Sequence, residues 1–224
     1  PRPFAGHPDI HFEAVNQSAK DVGGDFYDYF KLNEQEFGFM VGDVCGKGVP
    51  AAIFMASSRS IIKSQSLANS SPASVIHFSN RLIAEDAQHG IFVTVFYAVY
   101  HTETRLLRFT NAGHTLPFLY RPSTRSCASL FNTNFPLGVF EPFTYQESAI
   151  RLEKGDVLVL YTDGVSEAMN ANREQFGTER IVDLILRHGA ASPKELLDAL
   201  MDAVRQFSGD APQHDDMTLL IAQV

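Results

Sequence analysis

Four aspartates in this 224-residue chain lie at or near the ends of apolar, strand-like runs. Asp25 falls in Val22-Gly23-Gly24-Asp25-Phe26-Tyr27-Asp28, and Asp43 in Val41-Gly42-Asp43-Val44-Cys45-Gly46-Lys47-Gly48. Asp163 falls in Tyr161-Thr162-Asp163-Gly164, and Asp215 in His214-Asp215-Asp216-Met217-Thr218. Carboxylates beside strands rich in Val, Leu and Phe are partly desolvated. They stay ionised when a positive charge offsets that cost, most simply a divalent metal. Donors that are all oxygen select hard cations such as Mg2+ or Mn2+ over Zn2+. Each aspartate alone also reads as an ordinary turn residue, because Asp favours turns. The metal reading rests on their recurrence and on the adjacent acids Asp215 and Asp216, which repel unless a cation or hydrogen bonds intervene.

Elements that could position these residues follow from hydrophobic periodicity. Strands are expected over residues 11–15, 26–32, 36–44, 91–100, 105–110, 117–120, 127–131, 145–152, 156–161 and 218–224. Helices are expected from Ala51 to about Leu67, with Pro50 at the first helical position, and from Ser71-Pro72 to about Gln88. The second should pack through Val75, Phe78, Leu82 and Ile83. Two more helices are expected over 181–187 and from the capping box Ser192-Pro193-Lys194-Glu195 to about Phe207. Strands and helices in separate blocks point to an α+β fold rather than alternating βαβ units. Two antiparallel sheets, each with a helix pair on its outer face, would bury the apolar residues.

Composition narrows the function. Hydrophobic residues make up 45% and charged residues 20%, which suits one globular domain over 1–224 with no need of disulfides. The net charge of −8 argues against nonspecific nucleic-acid binding, which needs a basic surface. No apolar run reaches the ~20 residues that span a bilayer, and no signal peptide is visible. Cys45 and Cys127 form no CxxC pair and read as reduced thiols of a cytoplasmic protein. The chain opens on Pro1 without Met, so it is expected to be the C-terminal part of a longer protein.

Other chemistries fail on spacing. The segment from Gly42 to Lys47 is one residue short of a Walker loop, and Gly48 stands where Ser or Thr is needed. Neither cysteine is followed six residues on by the arginine of a cysteine-dependent phosphatase. No GxSxG, GxGxxG or HExxH occurs. His114, in Asn111-Ala112-Gly113-His114, reads either as a polar turn residue or as part of a site. Lys47 reads as a solvated turn residue or as a cation that attracts phosphate. His214 sits beside the terminal acid pair or is merely exposed.

Taken together, the motifs resemble the bacterial branch of the metal-dependent protein phosphatase 2C family, the phosphatases of sporulation and stress-response sigma-factor pathways. The resemblance spans about Phe12 to Val224. It is carried by Val22–Asp28, GDVCGKGVPAA (42–52), FVTVFY (92–97), NAGH (111–114), PLGV (136–139), YTDGVSE (161–167), FGTERI (176–181) and DDMTL (215–219). It implies a four-layer α-β-β-α sandwich and two divalent cations, Mn2+ or Mg2+. Asp43 would bridge the cations, Asp25 and the Val44 carbonyl would serve one, and Asp163 and Asp215 the other. Asp28 and Asp216 would stand behind the ligands. One departure matters. The animal enzymes place a histidine, held to be the general acid, two residues after the bridging aspartate, where this chain has Cys45. Water then protonates the leaving group, or His114 substitutes.

The implied reaction is hydrolysis of phosphoserine or phosphothreonine by in-line attack of water, with no protein nucleophile. The implied substrate is a phosphorylated anti-sigma-factor antagonist. An upstream sensor or receiver domain of the same chain, and a homodimer of the full-length protein, are implied as well. Contact with nucleic acid or membrane is not. Two other readings stay open: a phosphatase fold that binds protein without turnover, and a metallohydrolase of small phosphate esters.

Overall fold

The computed structural model describes residues 9–69, 71–87 and 90–224. They fall into two compact units. The first comprises Asp21–His114 and Phe131–Leu152, and the second takes in Thr115–Leu130, Glu153–Val224 and the segment leading to Lys20.

The first unit is built on a five-stranded antiparallel sheet ordered β2-β3-β4-β5-β8. Its strands are β2 (Phe26–Lys31), β3 (Glu36–Val44), β4 (Val93–His101), β5 (Leu106–Ala112) and β8 (Ser148–Arg151). β3 and β4 are buried on both faces, so their sequences read as continuous apolar runs. Helices α1 (Val49–Ala68) and α2 (Pro72–Asp86) cover one face. Ile62 of α1 and Val75, Ile76 and Ile83 of α2 pack there with Met40, Val95, Tyr97 and Val99.

The face of α2 differs from expectation. Phe78 and Leu82 are 39% and 42% exposed. The buried stripe is Pro72, Val75, Ile76, Ser79, Asn80 and Ile83. That stripe follows helical spacing, but the polar Ser79 and Asn80 within it disguise it. Asn80 faces inward because its amide is used: Nδ2 donates to the Phe140 carbonyl at 2.9 Å, and Oδ1 accepts from Gly138 N at 2.9 Å. The expected end of this helix, Gln88, lies outside the described residues.

The second unit has a five-stranded antiparallel sheet ordered β1-β10-β9-β6-β7. Its strands are β1 (His11–Gln17), β6 (Phe118–Arg121), β7 (Ser126–Ser129), β9 (Val157–Tyr161) and β10 (Met217–Gln223). Helices α4 (Gly177–His188) and α5 (Pro193–Ser208) pack on it through Ile181, Ile185, Leu196, Leu200 and Val204. The capping box at Ser192 forms as expected. Its hydroxyl accepts from Glu195 N at 3.3 Å, and the Glu195 carboxylate accepts from Ser192 N at 2.9 Å. A single-turn helix, α3 (Asp163–Ser166), stands where only a sharp turn was expected.

Asp156 is the buried ionic element of this unit. Its carboxylate is fully buried and accepts from Arg121 Nη2 at 3.0 Å and Glu153 N at 2.9 Å. The Asp156 carboxylate raises the Arg121 pKa above its ordinary value, chiefly through this hydrogen bond. Asp156→Ala would leave Arg121 its longer contact to Glu153 at 3.4 Å and remove the buried acceptor, and equilibrium urea unfolding should show a loss of about 1–3 kcal/mol. No helix among the described residues is long and apolar enough to cross a membrane.

Candidate metal centre

In the first unit, strand register brings Asp25 and Asp43 together. Phe26 pairs with Gly42 in the antiparallel β2–β3 ladder, and Val44 N donates to Gly24 O at 3.4 Å one step beyond. That register sets Asp25 directly opposite Asp43, with both side chains on the same face of the sheet. Asp25 is 3% exposed and Asp43 half-buried. Two carboxylates facing each other across a ladder repel unless a cation or hydrogen bonds offset the repulsion.

Gly24 leaves the space for such a cation. A Cβ placed on it would stand 2.9 Å from the Val44 carbonyl oxygen and 3.4 Å from Asp43 Oδ1. The two nearest atoms there are oxygens, the Val44 carbonyl and an Asp43 carboxylate oxygen, with the Val44 Cβ at 3.5 Å. These donors fit a hard divalent cation.

The Asp43 main chain is held from behind. Asp43 pairs with Thr94 of β4. Thr94 Oγ1 lies 3.4 Å from the Asp43 carbonyl and 2.9 Å from His114 Nδ1. His114 is 8% exposed, and Asn111 clasps its backbone: Oδ1 accepts from His114 N at 2.7 Å and Nδ2 donates to His114 O at 3.0 Å. The NAGH turn therefore fixes an imidazole one hydroxyl away from the Asp43 backbone. Thr94 falls within FVTVFY, but its role behind Asp43 was not legible there, because a threonine in a strand is ordinary.

Asp28 is placed differently from Asp25. Its carboxylate is wholly buried and accepts from Arg59 Nη2 at 2.7 Å and Lys63 Nζ at 3.0 Å, both on α1. It also accepts from Tyr29 N at 2.9 Å. Its burial thus ties β2 to α1. Tyr27, beside it, has its pKa raised, first by burial and then by the Asp28 charge.

In the second unit, Asp163 and Asp215 are brought together by the β9–β10 ladder. Thr162 N donates to Thr218 O at 3.1 Å, and Thr218 N to Thr162 Oγ1 at 2.9 Å. The chain then turns into α3, with Asp163 in its first turn, where a carboxylate suits the positive end of the helix. Gly164 packs flat against the Asp215–Asp216 backbone, and a Cβ there would overlap the Asp216 carbonyl. Asp163 and Asp215 are both exposed. Asp216 Oδ1 accepts from Ala19 N at 2.8 Å, so this acid fastens the segment after β1. Asp216 N in turn donates to Asp215 Oδ1 at 2.9 Å.

Among the described residues, no group of three or more His, Cys, Asp or Glu side chains stands ready to hold a metal ion. The first unit sets Asp25 opposite Asp43 in register, and the second packs Gly164, next to Asp163, against the Asp215–Asp216 backbone. Lys47 and His214 are exposed. Cys45 and Cys127 are both free thiols. Burial pushes the Cys127 thiol up to about 11, which keeps it protonated and inert, whereas Cys45 is exposed beside the first pair.

Two antiparallel five-stranded sheets, each with its helix pair and with aspartates at strand ends, define a phosphatase 2C-type fold. The structure superposes on the SiaA-PP2C domain of Pseudomonas aeruginosa with a TM-score of 0.83, at 22% identity, covering 95% of this chain and 84% of that one. It also matches RsbX, solved in complex with magnesium, with a TM-score of 0.73 at 18% identity, covering 97% and 94%. The chain belongs to the Stage II sporulation protein E (SpoIIE) family, whose model matches residues 33–224 and so runs through both units. It is 28% identical over 210 residues to phosphoserine phosphatase RsbU of Bacillus subtilis, covering 93% of this chain and 61% of that protein. The chain thus spans about three-fifths of that relative's length.

Proposed function

We propose that this chain is the catalytic domain of a metal-dependent phosphatase acting on phosphoserine or phosphothreonine in a protein. The observation that carries this reading is the Asp25–Asp43 pair set opposite each other in the strand register beside Gly24, where the Val44 carbonyl and Asp43 Oδ1 approach one another. Asp25, Asp43 and the Val44 carbonyl would hold one divalent cation, and Asp163 with Asp215 would hold the other. Mn2+ or Mg2+ suits such donors, and RsbX was solved with magnesium. Bound divalent cations supply the Lewis acidity that makes water nucleophilic near neutral pH and offsets charge on the phosphoryl oxygens.

The chain's own residues supply position. Gly24 keeps the cradle open, and the Thr94–His114 hydrogen bond holds the Asp43 backbone and orients the imidazole. With one ring nitrogen engaged by Thr94, His114 is a positioning group, and water protonates the departing serine oxygen. Cys45 takes no part as a nucleophile.

RsbU is named a phosphoserine phosphatase. By analogy the substrate here is a phosphorylated anti-sigma-factor antagonist in a bacterial signalling pathway. The chain works within a longer cytoplasmic protein that carries an upstream sensor or receiver domain and dimerises when whole. Hydrolysis of p-nitrophenyl phosphate and of a phosphoserine peptide, with Mn2+, Mg2+ or chelator, tests the reaction. Rates that need added metal and disappear with chelator are expected. Bound metal without turnover of either substrate would replace this reading with that of a binding module.

A further inference from the structure

A cavity of about 370 Å³ opens between α4 and α5 of the second unit, and none of its lining residues belongs to the candidate metal centre. One wall is apolar and fixed. Phe176 is 2% exposed, and Phe207 meets it edge-on at 5.4 Å. Leu184, Ala203 and Phe207 pack onto the hydrophobic core of the unit.

Arg180 is the charged feature of the lining. Its Nη1 donates to the Gln175 and Phe176 carbonyls, and its guanidinium carbon lies 4.7 Å from the centre of the Phe207 ring. These contacts hold the side chain in place, so its rotamer freedom is already lost in the folded chain. They leave its charge uncompensated. Asp183, which also lines the cavity, pairs with Arg187 at 2.7 Å. Asp198 pairs with Lys194 and Asp202 with Arg205. Glu195 closes the cap at Ser192, and Glu174 accepts from Asn170. Glu179 adjoins Arg180 in sequence, and successive helical residues do not face each other. Among the described residues, Nε and Nη2 of Arg180 have no hydrogen-bond partner. Together they form a fork that matches a carboxylate.

Size and charge set the occupant. The volume falls within the ~300–1,000 Å³ of small-molecule sites. Eight residues line it, against roughly 20–30 on each side of a standard protein interface. A protein surface would rest mostly outside such a cavity, whereas a small molecule fits within it. The apolar wall takes the body of that molecule, and Arg180 takes its anionic end.

We infer that the α4–α5 cavity is a binding site for a small organic acid with an apolar or aromatic body and one carboxylate. The site does not depend on the phosphatase reading.

The test is a ligand-detected NMR titration of the full-length protein with 4-phenylbutyrate, with 4-phenylbutanol as an uncharged probe of similar shape and acetate as an anion without the apolar body. The unsubstituted protein should bind phenylbutyrate saturably, about 10-fold or more tightly than the alcohol or acetate. Arg180→Met keeps an apolar stem and should bring phenylbutyrate down to the affinity of the alcohol, a loss of about 10-fold or more. That variant also gives up the hydrogen bonds to Gln175 and Phe176. Gln206→Glu, at an exposed residue of the lining, therefore supplies a second variant that disturbs no core contact. Its added carboxylate should weaken phenylbutyrate about threefold or more and leave the alcohol within about twofold. Should Arg180→Met fail to fold, the Gln206→Glu result decides. No saturable binding of phenylbutyrate, equal affinity for the acid and the alcohol, or acetate bound as tightly as phenylbutyrate would each overturn the site. So would an affinity for phenylbutyrate that a folded Arg180→Met or Gln206→Glu leaves unchanged.

Discussion

Asp43→Asn is expected to reduce metal-dependent phosphoester hydrolysis by about 1,000-fold or more while the chain stays folded. Groups that only support a metal ligand cost 10–100-fold when removed, so the ligand itself should cost more. The substitution keeps the shape of the side chain and removes its charge. Asp43 faces Asp25 across the β2–β3 ladder, so the native pair repels when no cation is present. The variant should therefore unfold in chelator at the same temperature as the native chain or higher, and should lose the rise that Mn2+ gives the native chain. Calorimetric titration with Mn2+, thermal unfolding in EDTA and the p-nitrophenyl phosphate rate separate these effects. A variant that keeps its rate would remove Asp43 from the metal centre. A variant that fails to fold in chelator would make Asp43 a structural residue instead.

Gly164→Ala should also damage activity strongly, by a different route. The position carries no chemistry, and alanine is otherwise well tolerated in helices. Its Cβ would overlap the Asp216 carbonyl, which is backbone in the β10 lead-in and cannot swing aside like a side chain. Either α3 shifts, carrying Asp163, or residues 215–216 shift, carrying Asp215. The cost in stability should be about 1–3 kcal/mol, as for overpacking elsewhere. Misplacing a functional group by an ångström can cost about 100-fold in rate, and a loss of that order is expected. Chemical denaturation and the metal-dependent rate, measured together, show whether activity falls further than stability accounts for. A Gly164→Ala enzyme with native rate and native stability would mean that the β9–β10 end adapts more freely than its packing indicates.

Much of this architecture was legible in the residues alone. β3 was placed to the residue, because nine positions of apolar and β-branched character end on a glycine-rich turn. The capping box at Ser192 was read from Ser and Glu three apart, since its two hydrogen bonds are local to the chain. The four aspartates stood out for the same reason, because their motifs are short; the desolvation expected of all four holds fully for Asp25 alone, since Asp43 is half-buried and Asp163 and Asp215, beyond their strands, are exposed.

Other features needed the fold. The α2 face was misjudged because Ser79 and Asn80 look solvent-facing, yet Asn80 is drawn inward by Gly138 and Phe140, some sixty residues away. Asp28 resembled a companion of Asp25 in sequence, but its carboxylate lies against Arg59 and Lys63 of α1. Thr94 and Gly24 lie within FVTVFY and Val22–Asp28, but their own roles were not legible, because a strand threonine and a loop glycine announce nothing until their neighbours are known. The exposure of Phe131, Phe135 and Phe140 beside the buried Asn132 and Asn134 is likewise visible only in the fold. Local pattern determined the identity of the strands, the caps and the acidic motifs, since each depends on residues a few positions apart. Register, burial and long-range hydrogen bonds, which join residues far apart in the chain, decided which carboxylates face a cradle and which are spent on holding the fold.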